Sequence, residues 1–174
     1  MGFEVAAFVP CRDGYRVHGA TSAVDDGAVW HVEYDIVLDA AWTTRRVRIA
    51  SWSPAGRRTV ALDHEDAGSW SVNGRLTPDL DDCLDVDLES SVLTNAFPVH
   101  RQRSEPGSSW SAPAAYVRAA DLTIGRLDQR YTYLVSDERH RYAYEAPALE
   151  FRCQIDYDAC GLVLHYPGIA VRAT

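Results

Sequence analysis

The stretch Asp81-Asp82-Cys83-Leu84-Asp85-Val86-Asp87-Leu88, followed by Thr94-Asn95-Ala96-Phe97-Pro98-Val99-His100-Arg101, concentrates the residue types that do chemistry. In an extended strand Asp85 and Asp87 share one face while Val86 and Leu88 share the other. Two neighbouring carboxylates repel, so water, a shared proton or a cation must hold them. On a solvent face water suffices and no function follows. On a buried face an arginine is the natural partner, with Arg45, Arg101 and Arg103 as candidates. General acid/base work by the pair is the third option, but no second carboxylate pair or nucleophile completes such a site. Arg45 itself points the same way as Val47 and Ile49 if its strand is regular. A guanidinium on an apolar face must be paired or must bind an anion, so an internal Arg–Asp bridge and a ligand head-group contact are both open.

Other chemistry finds little footing. The six histidines (His18, His31, His64, His100, His140, His165) are never spaced as metal ligands, and His64-Glu65-Asp66 alone is a weak pattern, so no metal site is expected. No Gly-x-Ser-x-Gly elbow, phosphate loop or Gly-x-Gly-x-x-Gly turn occurs, and no cofactor is expected. Cys11, Cys83, Cys153 and Cys160 are irregularly spaced with no Cys-x-x-Cys pair. They read as reduced thiols, with a Cys153–Cys160 bridge across a turn as the alternative. All 17 basic residues are arginine, yet the net charge is −8. Arg45-Arg46 with Arg48, and Arg57-Arg58, read as solvated or ion-paired faces rather than a nucleic-acid surface. No apolar run reaches the roughly 18 to 20 residues of a membrane-spanning helix. The opening Met1-Gly2-Phe3-Glu4 carries no basic start to a secretory signal, and a cytoplasmic protein is expected.

The elements that must position these residues are strands. Tyr34, Ile36, Leu38 and Ala40 alternate with Glu33, Asp35 and Asp39, and Val47 and Ile49 alternate with Arg46 and Arg48. This period of two predicts strands over 29–41 and 44–52, paired antiparallel across a short connection. Asn73-Gly74 inside Trp70–Leu76 fits a two-residue type I′ hairpin. Further strands are expected over 4–9, 15–23, 59–64, 83–88, 94–102 (interrupted by Pro98), 110–118, 122–124, 130–135, 140–145, 149–157 and 162–171, with 104–109 the clearest loop. Turn signals every eight to twelve residues favour an all-β sandwich, barrel or roll. No stretch carries a helical stripe, and nothing marks a second domain within 1–174. Nine tyrosines, five tryptophans and four phenylalanines fill a core or line a cavity for an amphipathic guest.

Trp70-Ser71-Val72-Asn73-Gly74, Cys83-Leu84-Asp85-Val86-Asp87-Leu88 and Thr94-Asn95-Ala96-Phe97-Pro98, taken together, resemble the glycolipid-binding family of bacterial proteins. Gln129-Arg130-Tyr131, Tyr142-Ala143-Tyr144, Phe151, Asp156 and the segment Gly161 to Gly168 extend the resemblance. So do Glu33-Tyr34, Asp39, Trp42, Thr43 and Arg45 near the start. The chain departs from the family's usual Thr-Pro at Ser91-Val92. The resemblance implies a spiral β-roll and glycolipid binding, and brings no catalytic residues with it.

The sequence therefore predicts one all-β domain, a curled antiparallel sheet of about a dozen strands around a cavity. Its leading function is non-enzymatic binding of an amphipathic, glycolipid-like small molecule. Arg45 and Arg101 are assigned to the head group, Asp85, Asp87 and Asn95 to hydroxyl hydrogen bonds, and Trp70, Tyr131 and Tyr166 to stacking or lining. A hydrolase using Asp85 or Asp87, and a structural or interaction module, are the alternatives.

Overall fold

A computed structural model describes residues 1–25, 27–65, 68–102, 105–134 and 139–173. Asp66, Arg103, Ser104 and Val135, which the sequence reading included, lie outside the described residues. The fold is all-β, with sixteen strands among the described residues arranged in three open sheets.

The first half of the chain is a seven-stranded antiparallel meander in sequence order. It runs through β1 (Gly2–Cys11), β2 (Gly14–Asp25), β3 (Ala28–Asp39), β4 (Thr44–Ser53), β5 (Gly56–His64), β6 (Trp70–Val72) and β7 (Arg75–Leu76). Alternation builds it as expected: Val32, Tyr34, Ile36 and Leu38 of β3 are all buried on one face, each fully buried aliphatic contributing about 1.5–3 kcal/mol. Asn73 and Gly74 turn the β6–β7 hairpin with φ of 50° and 77°, the paired positive values that a type I′ turn requires. At Gly19 the reason is close approach, since a Cβ there would sit 2.1 Å from the Tyr34 ring. The bare glycine lets that ring cross β2, and its hydroxyl reaches Glu4 on β1.

The second half makes two smaller sheets. β8 (Asp85–Leu88), β10 (Ala114–Val117) and β11 (Ile124–Leu127) form one in the order β11-β10-β8. β9 (Ser109–Ser111), β12 (Arg130–Leu134), β13 (His140–Ala146), β14 (Phe151–Tyr157), β15 (Val163–Tyr166) and β16 (Ala170–Val171) form the other, in the order β16-β15-β14-β13-β12-β9. Two hydrophobic cores result. One packs the inner face of the meander against Val86, Leu88, Ala115, Val117 and Phe97. The other is dominated by Tyr131, Tyr142, Tyr144, Tyr157 and Tyr166.

The structure departs from the expected strands in two respects. Residues 94–102 are not a strand: a 3-10 turn, Val92–Asn95, runs into a short helix α1 (Ala96–Arg101). The segment hides its helical period because both sides of it are buried, Phe97 in the first core and Val99 in the second. Pro98 sits third in the helix, where its missing N–H costs no intrahelical bond. In addition β8 and β10 pair parallel, which a sheet of hairpins cannot provide. A parallel pair needs a crossover, and α1 lies within it. Smaller differences are breaks in what the sequence reads as single strands. An irregular break at 112–113 and a turn at 167–169 divide 110–118 and 162–171, and a turn at 119–121 moves the expected 122–124 strand to β11.

Replacing Gly19 by alanine is expected to displace the Tyr34 ring and destabilise the fold by about 1–3 kcal/mol. Truncating the ring in Gly19→Ala/Tyr34→Ala should make the alanine's added cost nearly vanish. Urea denaturation of the four proteins of this cycle checks it; equal Gly19→Ala costs in both backgrounds would refute the assigned clash.

Candidate ligand site

β8 is buried on every position, so its two aspartates face the inside of the protein. Arg101, in the last turn of α1, closes a two-pronged ion pair on Asp85 at 2.6 and 2.5 Å. Burial pushes the Asp85 carboxyl upward, and the Arg101 bonds and charge pull against it. No arginine among the described residues pairs with Asp87; it accepts from the Thr94 hydroxyl at 3.0 Å and from the Gln129 amide. Burial raises it to about 6, against those two bonds and with help from Asp85 and Glu89. Beside it the Asn95 amide donates to the Tyr131 hydroxyl at 2.9 Å, and the Tyr157 hydroxyl donates to the Asn95 carbonyl at 3.2 Å. Asp85, Asp87, Asn95, Arg101 and Tyr131 are thus brought together, as a polar seam between the two cores.

The other residues named from sequence sit elsewhere. Trp70 is sealed at the far end of the first core, its indole N–H donating to the Cys83 carbonyl at 2.9 Å and its ring stacked on His64 at 4.5 Å. Arg45 does not point inward with Val47 and Ile49. The β3–β4 register shifts so that Leu38 pairs with Thr44 and Val37 with Arg46, leaving Arg45 as the extra residue of a bulge. Thr44 takes the buried position, and Arg45 turns outward to the Asp39 carboxylate at 2.8 Å. Tyr166 is buried against the second core with one side along a surface groove.

One opening, of about 780 Å³, lies against the meander alone, walled by His18, Glu33, Arg48 and Arg57, and the two largest lie between the sheets. The larger opening is a cleft of about 980 Å³ whose walls include Tyr15, Trp42, His100, Arg101, Gln102 and His140. Trp42 holds a φ of 64°, a left-handed conformation that is costly for so bulky a residue. Its turn is held by the Asp39 carboxylate, which accepts from the N–H groups of Ala41 and Thr43 at 2.8 and 2.9 Å. The strain places the indole flat on the His100 ring at 3.6 Å and 3°, with Tyr15 at 4.7 Å on another side. Gly161 packs so near that a Cβ would lie 2.9 Å from His100 Nε2, and that buried nitrogen has no hydrogen-bond partner among the described residues. Burial lowers the His100 pKa, opposed by the charge of Asp158.

The second opening is an apolar groove of about 810 Å³ between β1 and the last two strands. Phe3, Val5 and Phe8 form one bank, Ile169 and Val171 the other, and Leu93 and Tyr166 lie along it. Phe8 also touches Trp42 at 5.9 Å between ring centroids, and Leu162 of the groove follows Gly161 of the cleft. The cleft and the groove therefore adjoin along one ridge. Glu4 enters the groove wall and accepts from the hydroxyls of Tyr34 and Ser91. Burial raises its pKa against those bonds and the N–H groups of Val92 and Leu93. The Ser91-Val92 pair noted in the sequence thus supplies a hydroxyl and an N–H; a proline in place of Val92 would have no N–H to give.

Asp85 and Asp87 line neither opening, and among the described residues no group of three His, Cys, Asp or Glu side chains is placed to hold a metal. All four cysteines are unpaired. Sequence reasoning assigned no role to His100, Tyr15, Phe8 and Glu4, and named Trp42 only as part of a motif. The one usable signal was the Asp39-Ala40-Ala41-Trp42-Thr43 turn, where an aspartate sits two and four residues before the N–H groups it caps.

Residues 1–172 match the family described as "Putative glycolipid-binding". The crystal structure of a DUF1089 family protein from Pseudomonas aeruginosa is similar, with a TM-score of 0.82 and 27% identity over 98% of this chain and 92% of that one. No curated protein matches the chain.

Asp87 gives the seam a pH signature. Its carboxyl titrates at about 6 when folded against an ordinary 3.8, so between these values the folded chain holds more protons than the unfolded one. Stability from this group is therefore full below the lower value and lost as pH rises through the upper, a change of about 3 kcal/mol. Asp87→Asn cannot titrate, and is expected to gain that amount on the wild type between about pH 4 and about pH 7. Chemical denaturation of both proteins across the range is the measurement; parallel stability curves would refute the assignment.

Proposed function

The chain belongs to the glycolipid-binding family, and from that premise we propose that it binds an amphipathic, glycolipid-like molecule without transforming it. The observation that carries the reading is the junction of a polar, ring-walled cleft with an apolar groove across the Phe8–Trp42 contact. A sugar-like head needs a flat apolar face beside a few fixed polar groups, and the cleft offers Trp42, Tyr15, Arg101, Gln102 and His140. An acyl-like tail needs only a dry wall, which Phe3, Val5, Leu93, Ile169 and Val171 provide.

In this reading Arg101 and Tyr166 touch the ligand, Arg101 at the head and Tyr166 along the tail. Asp85, Asp87, Asn95 and Tyr131 act one step back, by fixing the helix that presents His100 and Arg101. Arg45 steadies the Trp42 turn through Asp39, and Trp70 braces the meander. With both aspartates away from the openings, binding is favoured over hydrolysis. The chain works as one domain, and its unpaired cysteines favour the cytoplasm. No helix among the described residues is long and apolar enough to cross a membrane.

Native mass spectrometry of the gently purified protein is expected to find a co-purifying lipid of unaltered mass. Titration with dodecyl maltoside, a sugar head on a twelve-carbon tail, should saturate at one site. Trp42→Asn, which tolerates the left-handed turn, and Val171→Asp, at an exposed position, should each weaken binding about tenfold or more, equivalent to 1.4 kcal/mol. Absence of both lipid and detergent binding, or recovery of a cleaved product, would refute the reading.

A further inference from the structure

β1 ends the seven-stranded sheet with a free edge. It pairs with β2 along all ten residues, from Gly2 opposite Ala23 to Cys11 opposite Gly14, and no described strand pairs with its other side. The strand is held at its start, where the Met1 ammonium donates to the Val24 carbonyl at 2.8 Å. Its outward row is Phe3, Val5, Ala7 and Val9, of which Phe3 is 70% and Val5 65% exposed. Long free edges are usually guarded by charges, proline or a bulge, because their unpaired N–H and C=O groups invite another strand. Here the one charged side chain, Glu4, is turned inward to Tyr34 and Ser91, and Pro10 stands next to the end.

A two-fold contact requires a surface that matches itself, and this row does. With Ala6 on the axis of an antiparallel pair, Phe3 lies opposite Val9 of the second copy and Val5 opposite its Ala7, all on the apolar face. Glu4 falls opposite Phe8, so the two carboxylates do not meet, and Pro10 falls opposite Gly2, at the end of the ladder where a missing N–H matters least. Placing the axis at Glu4 instead would set the two carboxylates against each other.

We propose that in the empty protein a second copy of this chain pairs on β1 in that register, joining two seven-stranded sheets into one, and that a ligand tail entering the groove displaces it. The displacement follows from position, because Phe3 and Val5 belong both to the pairing row and to the groove wall, and it rests on the reading of that groove as the tail site. The pairing stands on the edge alone.

Analytical ultracentrifugation of delipidated protein is expected to show a dimer. Val5→Lys/Ala7→Lys puts lysine opposite lysine twice and should give a monomer, whereas Val5→Lys/Ala7→Glu puts lysine opposite glutamate twice and should restore the dimer. Both positions are exposed, and circular dichroism and the urea midpoint confirm that each variant folds. A monomeric wild type, or two variants that behave alike, would overturn the pairing. Dodecyl maltoside below its micelle concentration should then convert the wild-type dimer to monomer. A dimer that persists with detergent bound overturns the displacement and leaves the edge pairing intact; a dimer that binds no detergent overturns the tail-site reading.

Discussion

A strand buried on both faces yet carrying two aspartates is the condition around which this fold is arranged. Val86 and Leu88 of β8 complete the first core, and Asp85 and Asp87 look toward the second. An unpaired buried carboxylate is far too costly to persist, so the chain must deliver donors to that place. Arg101 meets Asp85, and Thr94 and Gln129 meet Asp87. Three of these partners' positions explain the topology: Thr94 and Arg101 lie at the two ends of the segment following β8, and Gln129 directly precedes β12. A helical segment brings Thr94 and Arg101 back over one strand, where an extended segment would carry them apart. An ion pair so placed gains little over a well-packed apolar pair. Its effect is to specify one seating for α1, and with it the positions of His100 and the cleft wall.

The meander was legible because its middle strands β3, β4 and β5 alternate buried and wetter positions, and Tyr34-Ile36-Leu38 against Glu33-Asp35 leaves no other reading. The same logic failed where both faces are buried. Ala96-Phe97-Pro98-Val99 has no polar side to mark its period, and a strand and a short helix then look alike in sequence. The candidate site divides in the same way. Asp85, Asp87, Asn95, Arg101 and Tyr131 stand out as polar groups in apolar company, and the structure does bring them together. Arg45 was misplaced because a one-residue bulge reverses the facing of everything at that point, and nothing local in Thr44-Arg45-Arg46 announces it. Trp42 escaped a role because its position depends on a left-handed turn held by Asp39, a property of φ rather than of residue type.

The groove follows from the molecule's failure to close. The seven-stranded and six-stranded sheets each end in a free edge, β1 and β16, and the groove runs between them. β16 is protected by brevity, with two residues in the ladder. β1 is ten residues long, so its protection has to come from contacts. Inside, Glu4 secures it to the start of the helical segment through Ser91 and the N–H groups of Val92 and Leu93. This contact ties the edge to the same segment that Asp85 and Asp87 hold, so groove, cleft and seam share one support. Outside, the row from Phe3 to Val9 remains bare in the monomer. Apolar surface along a free backbone edge is unfavourable in water on two counts, through its side chains and its unpaired amides. An acyl chain can cover the side chains and leave the amides to water, whereas another strand satisfies both. The edge is consequently a place where lipid and protein contacts exclude one another, and its length, rather than any catalytic group, sets what this fold can hold.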